Sequence, residues 1–363
     1  MKFLHLKQEF LLGSIMAGDS HYLERHGAIL KGKNGSRSSA YLSPKHAYAD
    51  VLARKLKIQG PRMVISTACT ASALAISIAA ENILSGQIDL AFAGGSDPIS
   101  EFIFTGFHNM RNMSSEPCAP FSMPEGMILG EGAAFLVLER LDKALERNAK
   151  IYAELLGYAM TADAVHPTSP DMSGKSHKTL MNKAIAQSNI KDCDVDYINA
   201  HGTGTKTNDK TESLGFRLMF EDRLHKIKIS SIKGAIGHTL GGAGVVEAAV
   251  TVMSIFNQQL VPNTGYKNLR DECSFNIVKK TEPADIDVSI SNNYAFGGNN
   301  TSLVFAKYNV FRDIKIIQPR RVVITGIGFV SPLGNSQQTL VKGINEKIRP
   351  IKFCNNVPVF FNR

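Results

Sequence analysis

Cys69 stands at a position where a thiol could act as a nucleophile. The stretch VISTACTASALAISIAAENILSG places it where strand-forming residues give way to helix-forming ones. Before the first turn of a helix, unpaired N–H groups and the positive end of the helix dipole favour an anion, so the pKa of the Cys69 thiol is expected to fall. Most free cysteines are instead small apolar core residues, so this stretch alone favours the structural interpretation.

Three glycine-rich loops further along the chain carry the other candidates. His201 lies in NAHGTGTKTND, Lys233 and His238 lie in SSIKGAIGHTLGGAG, and Phe296 lies in SNNYAFGGNNTS. Glycines at strand ends let a ligand approach the backbone. A lone histidine is usually structural, but two in such loops, in a chain with a cysteine at a helix start, form a candidate catalytic set.

The sequence favours neither a metal site nor a disulfide framework. A site built from His201, His238 and Asp209 is disfavoured because no paired-ligand spacing such as H-x-x-x-H occurs. No C-x-x-C pair is present either, so reduced thiols are expected. The cysteines interpreted as structural or incidental are Cys118, Cys193, Cys273 and Cys354.

The elements that must position these loops are those of an α/β protein. Strand-like and helix-like runs alternate along most of the chain, which indicates a largely buried sheet. The predicted strands are 62–67, 88–95, 133–140, 150–160, 195–200, 226–231, 286–293 and 301–308, and the predicted helices follow Cys69, lie in the charged stretch after 140, and occupy 176–190, 209–220 and 245–258. These runs form two similar βαβ-rich halves, 1–162 and 163–310, and residues 163–173 link them.

The formal net charge of +9 is concentrated near the end of the chain. Residues 311–363 contain nine basic and two acidic side chains, a net of +7 that leaves +2 for everything before them. This distribution argues against a nucleic-acid binder and marks 311–363 as a basic segment suited to an acidic protein partner. No apolar run looks long enough to span a bilayer and no secretion signal is visible, so a cytoplasmic protein is expected.

The loops together resemble the β-ketoacyl synthases, the carbon–carbon bond-forming condensing enzymes of fatty-acid and polyketide synthesis. The resemblance rests on TACTAS, AHGTGT, KGAIGHTLGGAG and NYAFGGNN in that order, with GEGAAFLVLE as further support, and runs from about Leu11 to Tyr308. It implies a thiolase-like fold of two halves in a layered α-β-α-β-α arrangement. The Cys-His-His set resembles the elongating type rather than relatives that start chains.

The resemblance implies a role for each reactive side chain. Cys69 would attack an acyl thioester and hold the acyl group. When malonyl thioester loses carbon dioxide, His201 and His238 would act as neutral donors to the enolate oxygen. Lys233, expected to pair with Glu212, would place a positive charge nearby that disfavours imidazolium. An ordinary, partly buried ion pair between these two is equally open.

Aromatic residues and backbone groups are assigned by the same resemblance. The backbone N–H groups of Cys69 and Phe296 would form an oxyanion hole, and Phe296 would gate access to the nucleophile. Phe107 would line the acyl pocket, although a plain core position is the favoured alternative for it.

The remaining assignments concern polar residues around the loops. Thr203 and Thr205 match positions that hydrogen-bond a phosphopantetheine arm, with the satisfaction of loop backbone groups as the alternative. Asn300 and Asp209 would support the substrate-binding site.

The sequence departs from the family in three places. RRVVITGIGFVSPLGNS, from Arg320 to Ser336, resembles the family's amino end, whereas FLLGSIMAGDSHYLERHG, near the actual start, resembles a region inside its first half. The first half is therefore expected to be incomplete. A missing central strand would expose unpaired backbone and apolar surface. In CAPFSMPEGMILGEG, Ser122, Met123 and Pro124 break the family's pattern of an acidic residue and an Arg-Asp pair between PF and G.

Two accounts of the terminal departure remain open. The chain is either a window from two consecutive synthases, with 311–363 the start of the second, or a circular permutation. In the permutation, which ranks lower, residues 320–345 would fill the vacated central strand.

The predicted function is a 3-oxoacyl-[acyl carrier protein] synthase that catalyses decarboxylative Claisen condensation without a metal or free cofactor. Its substrates would arrive on the phosphopantetheine arm of acyl carrier protein. It would form a homodimer or a heterodimer with another synthase subunit. Two alternatives are a non-catalytic partner subunit that shapes chain length, disfavoured because such partners usually lack the nucleophile, and an inactive truncated synthase.

Overall fold

A computed structural model describes residues 6–310 and, beyond them, only positions 323, 325, 336, 338, 339, 342, 345 and 346. Cys354 and nearly all of the basic segment 311–363 lie outside the described residues. The predictions that this segment begins a second synthase or supplies a permuted strand therefore stay predictions.

Twelve strands within residues 6–310 form two main sheets and a small pair. The strands are β1 (Gln8–Gly13), β2 (Arg62–Ile65), β3 (Leu90–Asp97), β4 (Gly132–Glu139), β5 (Glu154–Ala162), β6 (Tyr197–Asn199), β7 (Lys228–Ser230), β8 (Gln259–Leu260), β9 (Asn276–Ile277), β10 (Glu282–Pro283), β11 (Val288–Tyr294) and β12 (Asn299–Ala306). The first sheet has the order β2-β1-β3-β4, with only β4 antiparallel to its neighbour. The second has the order β5-β12-β11-β6-β7-β9, with parallel pairing from β11 to β9, and β8 pairs with β10.

Helices cover both sheets and separate them. The helices are α1 (Asp19–Leu30), α2 (Arg37–Leu42), α3 (Ala47–Leu56), α4 (Ala71–Leu84), α5 (Glu101–Asn109), α6 (Leu141–Glu146), α7 (Lys175–Gln187), α8 (Lys206–Phe220), α9 (Lys233–Ile236) and α10 (Ala243–Asn257). Helices α4 and α10 pack between the sheets, α3 covers the outer face at β1 and β2, and α7 and α8 cover the outer face of the second sheet. This order of layers is the α-β-α-β-α arrangement that the sequence predicted.

The central helices are apolar on nearly all sides because both sheets press on them. Helix α4 contains eight buried residues and α10 another eight. The stretch Leu240–Asn257 is long and apolar enough to cross a membrane by length and composition, so the expectation that no such run exists was wrong. Most of this stretch is buried inside the fold, as in the core helix of a layered protein.

Two expectations about the halves meet different outcomes. The predicted gap in the first sheet is absent from residues 6–310, because β1 pairs directly with β3 over six residues and with β2 over four. The backbone of β1 is therefore paired on both sides, contrary to the expected vacancy. Strand β5 precedes residue 163 yet pairs with β12 in the second sheet. The domain boundary at 162/163 stays a prediction.

Candidate active site

Cys69 lies in the turn between β2 and α4, one residue before the helix N-cap Thr70, as the sequence predicted. The turn is tight, since Ala68 has a φ of 49° and its carbonyl accepts a hydrogen bond from Ala71 N at 3.1 Å. Burial raises the pKa of the Cys69 thiol to about 12, while the Lys233 ammonium lowers it. The expected fall in pKa was wrong, because loss of solvent outweighs the nearby positive charges.

The His201 loop follows β6 and is held by a buried carboxylate. Glu212, on α8, accepts hydrogen bonds from His201 N at 2.7 Å and Gly202 N at 2.8 Å. Asn208 Nδ2 donates to the same carboxylate at 3.1 Å. Burial raises the pKa of Glu212 to about 8, although these hydrogen bonds lower it. Glu212 therefore fixes the backbone of the loop, and its predicted pairing with Lys233 is wrong.

Lys233 pairs instead with Glu247, a residue of α10 that the sequence analysis missed. The Lys233 Nζ contacts the Glu247 carboxylate, and both side chains are 1% exposed. It also donates to the His201 carbonyl at 2.6 Å and lies 3.3 Å from His201 Nδ1. Asn293 Nδ2 donates to Glu247 at 2.6 Å. Because an ammonium only donates, His201 Nδ1 must accept, and the neutral ring carries its proton on Nε2.

The two imidazole rings lie together in the interior. Their centroids are 5.3 Å apart and the rings are nearly perpendicular, at 85°. His238 is fixed through its backbone, since its N–H donates to Ile128 O at 2.7 Å and its carbonyl accepts from Gly130 N at 3.0 Å. Burial, followed by the Lys233 charge, holds the pKa of both imidazoles well below its usual value. Both rings are therefore neutral at physiological pH.

The positive charge of Lys233 acts on the nucleophile and on both imidazole rings. The charge of Lys233 lowers the pKa of Cys69, of His201 and of His238. These charge interactions are strong only over short distances in a buried site. Direct contacts place Lys233 beside His201, whose ring lies 5.3 Å from that of His238, and the Lys233 charge also acts on Cys69.

An apolar cluster borders His238. The Phe107 and Phe296 rings stack with centroids 5.9 Å apart, and Leu129, next to Phe107 in the cluster, forms a β-bridge with His238. Phe107 is buried and packs in a core cluster, while Phe296 is partly exposed at its edge. The gating role of Phe296 and the pocket role of Phe107 stay predictions, and the burial of Phe107 agrees with its alternative as a core residue.

The predicted binding residues have separate surroundings. The hydroxyls of Thr203 and Thr205 lie 2.9 Å apart, and both follow His201 in one loop. Asp209 accepts from the backbone N–H of Gly204 at 3.2 Å, which supports that loop as expected. Asn300 donates to Asp163 Oδ1 at 2.6 Å. No contact with a reactive side chain is described for Asn300, so its role stays a prediction.

A second missed carboxylate and a close helix contact join the halves at the site. Asp97 accepts from Ser14 Oγ at 2.6 Å and, across the interface, from Gly241 N at 2.7 Å. At the starts of α4 and α10, Val245 N donates to Ser72 Oγ at 3.0 Å. The available signal for Glu247 was an acidic residue within the apolar stretch GVVEAAV, whereas Asp97, in AGGSDPIS, had no such signal.

Within residues 6–310, no group of three or more His, Cys, Asp or Glu side chains could hold a metal ion. The site is built from a thiol, two imidazoles, an ammonium and a carboxylate. This set suits acyl transfer through a thioester followed by stabilisation of an enolate.

The comparison with known proteins identifies the family. The model of the β-ketoacyl synthase N-terminal domain matches residues 10–144, and that of the C-terminal domain matches residues 152–267. The chain is 36% identical over 303 residues to 3-oxoacyl-[acyl-carrier-protein] synthase 2 of Synechocystis sp., covering 80% of this chain and 73% of that protein. The chain belongs to the β-ketoacyl synthase family.

Solved structures of similar fold are ketosynthases. The structure titled the ishigamide ketosynthase/chain length factor has a TM-score of 0.78 and 28% identity, covering 83% of this chain and 75% of that one. A type II PKS acyl-carrier protein in complex with its ketosynthase bound to the hexaketide gives a TM-score of 0.79 and 26% identity, covering 83% and 78%. The thiolase-like fold predicted from the sequence is confirmed.

Proposed function

We propose that this chain is a 3-oxoacyl-[acyl-carrier-protein] synthase that lengthens an acyl chain by two carbons. The observation that carries the proposal is the buried arrangement in which Lys233 Nζ lies 3.3 Å from His201 Nδ1, the His201 and His238 rings lie 5.3 Å apart, and the Lys233 charge also acts on Cys69. The similarity to 3-oxoacyl-[acyl-carrier-protein] synthase 2 supports the same reaction.

The first step is transfer of the acyl group to Cys69. The sulfur attacks the thioester carbonyl, a new thioester forms, and the thiol of the carrier arm leaves with the proton that Cys69 gives up. Because burial keeps Cys69 a neutral thiol before substrate arrives, the proton must leave as the sulfur attacks. The backbone N–H groups of Cys69 and Phe296 would stabilise the tetrahedral oxyanion.

The second step is decarboxylative condensation. Malonyl thioester loses carbon dioxide, and the electron pair of the broken bond forms an enolate. The Nε2–H of His201, set by the Lys233 contact at Nδ1, donates to the enolate oxygen, and His238 is the second neutral donor. The enolate carbon attacks the acyl group, Cys69 leaves as thiolate, and one proton from solvent restores the thiol.

The substrates arrive on a phosphopantetheine arm, so the partner is acyl carrier protein. Thr203 and Thr205, with their adjacent hydroxyls, would hold the arm. The similar structure that contains an acyl-carrier protein with its ketosynthase supports this partner. We further infer a dimer with itself or with another synthase subunit, and a cytoplasmic location.

The alternative of a non-catalytic chain-length partner rests on the similar structure titled a ketosynthase/chain length factor. A subunit of that kind has no need of a nucleophile, whereas this chain has Cys69, His201 and His238, and all three are buried. A truncated, unfolded product would show no cooperative thermal transition, so thermal melting of the purified chain tests that alternative.

Intact-mass spectrometry tests the proposal. After incubation with an acyl-[acyl carrier protein], the wild-type chain is expected to gain one acyl group and Cys69→Ala none. Cys193→Ala is the control, since it removes an exposed thiol away from these loops and should leave labelling intact. Labelling that persists in Cys69→Ala, or no labelling of the folded wild type, contradicts the proposal.

The role of His238 is tested separately from acylation. His238→Ala is expected to lower the rate of malonyl decarboxylation by at least about 100-fold, because one of two enolate donors is lost. Acylation of Cys69 should remain measurable by mass. Unchanged decarboxylation combined with lost acylation would contradict the role assigned to this ring.

A further inference from the structure

Arg270 lies outside every motif singled out in the sequence, yet its side chain is only 6% exposed. It belongs to the connection between β8 and β9. Its guanidinium donates from Nε to Ser122 O at 2.8 Å and from Nη2 to Gly204 O at 2.7 Å. Nη1 lies 3.6 Å from Asp209 Oδ2. One buried side chain therefore spans three separate segments of the chain.

The contact at Gly204 bears on the Thr203–Thr205 pair. Gly204 has a φ of +81°, a left-handed conformation that side chains rarely adopt, and an added Cβ would lie 2.8 Å from Gly126 O. Its carbonyl accepts from Gly126 N at 2.9 Å as well as from Arg270. The direction of this carbonyl fixes the peptide between the two threonines, and hence the way in which their hydroxyls are presented.

Asp209 fastens the same two segments from the other side. It accepts from Phe121 N at 2.6 Å and from Gly204 N at 3.2 Å. The backbone N–H of Arg270 adds a bond to Phe121 O at 3.0 Å. Residues 118–126 and the threonine loop are thus held by one buried carboxylate and one buried guanidinium. A lysine could not replace this arrangement, because a single ammonium lacks the planar fork that reaches two carbonyls.

We propose that Arg270 is a positioning residue that holds the Gly204 carbonyl and so presents the Thr203 and Thr205 hydroxyls to the carrier arm. This inference rests on the proposed function, which supplies the arm as ligand. Residues 118–126 include the stretch where the sequence breaks the family's pattern. In this chain, Arg270 reaches that stretch from a different loop.

The test separates binding of the arm from the chemistry at Cys69. In Arg270→Gln and Arg270→Lys, the KM for acyl-[acyl carrier protein] is expected to rise at least fivefold, with kcat within twofold of wild type. Iodoacetamide does not use the arm, so its rate of alkylating Cys69, followed by peptide mass, should change by less than twofold. Arg140→Gln, which removes a surface guanidinium paired with Asp89 and Asp142, is the control expected to match wild type.

Three results would overturn the inference. The first is an unchanged KM in both folded variants, and the second is wild-type behaviour of Arg270→Lys, which would show that charge alone suffices. The third is an equal loss of alkylation and acylation, which would indicate general damage to the site.

A second measurement keeps the inference apart from the proposed function. Amide hydrogen exchange of Phe121, Gly126 and Gly204 is expected to speed up at least tenfold in Arg270→Gln, because their bonded network loses its guanidinium. If the folded wild type accepts no acyl group, the proposed function fails, and the presentation of the arm fails with it. If exchange is unchanged, only the inference about Arg270 fails.

Discussion

The inner strands of the second sheet and the edge strand β4 of the first sheet differ in how completely they are covered. All seven residues of β11, in the second sheet, are buried. In β4, at the edge of the first sheet, the outward residues are exposed, with Phe135 at 37% and Val137 at 50%. Helix α3 covers the outer face of the first sheet only near β1 and β2.

This difference separates the reactive groups. Cys69 follows β2 at the edge of the first sheet, whereas His201 follows β6 and Lys233 follows β7, which are inner strands of the second sheet. Charges and dipoles act most strongly where water is excluded. The comparison teaches that the charged part of the site lies beside strands from which water is excluded, whereas the nucleophile follows an edge strand and is buried by other elements.

The largest expected effect comes from breaking the buried ion pair between Lys233 and Glu247. Glu247→Gln leaves the Lys233 ammonium buried without its counter-ion and should lower the free energy of unfolding by about 3–5 kcal/mol. Urea unfolding measures this loss. Glu282→Gln removes the partner of the half-exposed Lys228, and its expected cost is at most about 1 kcal/mol. Equal losses of unfolding free energy in Glu247→Gln and Glu282→Gln would show that the buried and the half-exposed ion pair do not differ in this way.

A pH-dependent effect of intermediate size is expected at His177, on α7. Its side chain is 1% exposed, and burial lowers its pKa to about 4, although Asp163 and Asp171 raise it. Between about pH 6.5 and pH 4, the unfolded chain therefore binds a proton at His177 that the native state does not bind. Stability is full above pH 6.5 and falls by about 3 kcal/mol as the pH drops through this window.

His177→Gln removes the titrating group and should flatten this part of the profile. Free energies of unfolding at pH 7 and pH 4.5 give the difference between variant and wild type at each pH. Because His201, His238 and the buried carboxylates titrate in both proteins, only the change in that difference reports on His177. Parallel profiles would contradict the assignment.

The smallest effects sharpen the comparison through one substitution made in both sheets. Val304→Thr, on β12, buries a hydroxyl in the second sheet and should lower the free energy of unfolding by about 1–3 kcal/mol. Val137→Thr, on the exposed face of β4, should change stability by no more than about 0.5 kcal/mol. The shift in the midpoint of thermal unfolding checks both. A substantial cost at Val137 would indicate that a partner covers this face in solution.

Local patterns predicted much of the fold and the location of the site. The strand-to-helix junction before Cys69 and the glycine-rich loops around His201 and His238 are determined by neighbouring residues. The bounds of the strands and helices beside them were therefore predicted to within a few residues. Long-range facts were missed for a physical reason. Nothing near Lys233 reveals that its partner is Glu247 rather than Glu212, because that choice depends on which helix lies between the sheets.

Two other errors also depend on tertiary structure. The local helix-start argument predicted a lowered pKa for Cys69, but the layers that bury this residue are formed by distant parts of the chain and outweigh it. The expected gap beside β1 assumed that the order of strands was fixed, whereas β1 and β3 pair directly. The reach of Arg270 to the threonine loop has no local signature at all.

The close contact between the starts of α4 and α10 determines the spacing of the catalytic residues. A methyl group added to Gly244 would lie 2.7 Å from the Cβ of Ala73, closer than carbon atoms normally approach. Cys69 precedes one of these helices and His238 precedes the other. The distance from the Cys69 sulfur to the His238 imidazole therefore depends on how closely the two helix starts pack. A side chain as small as a methyl group at Gly244 would separate the helices and, with them, the reacting groups.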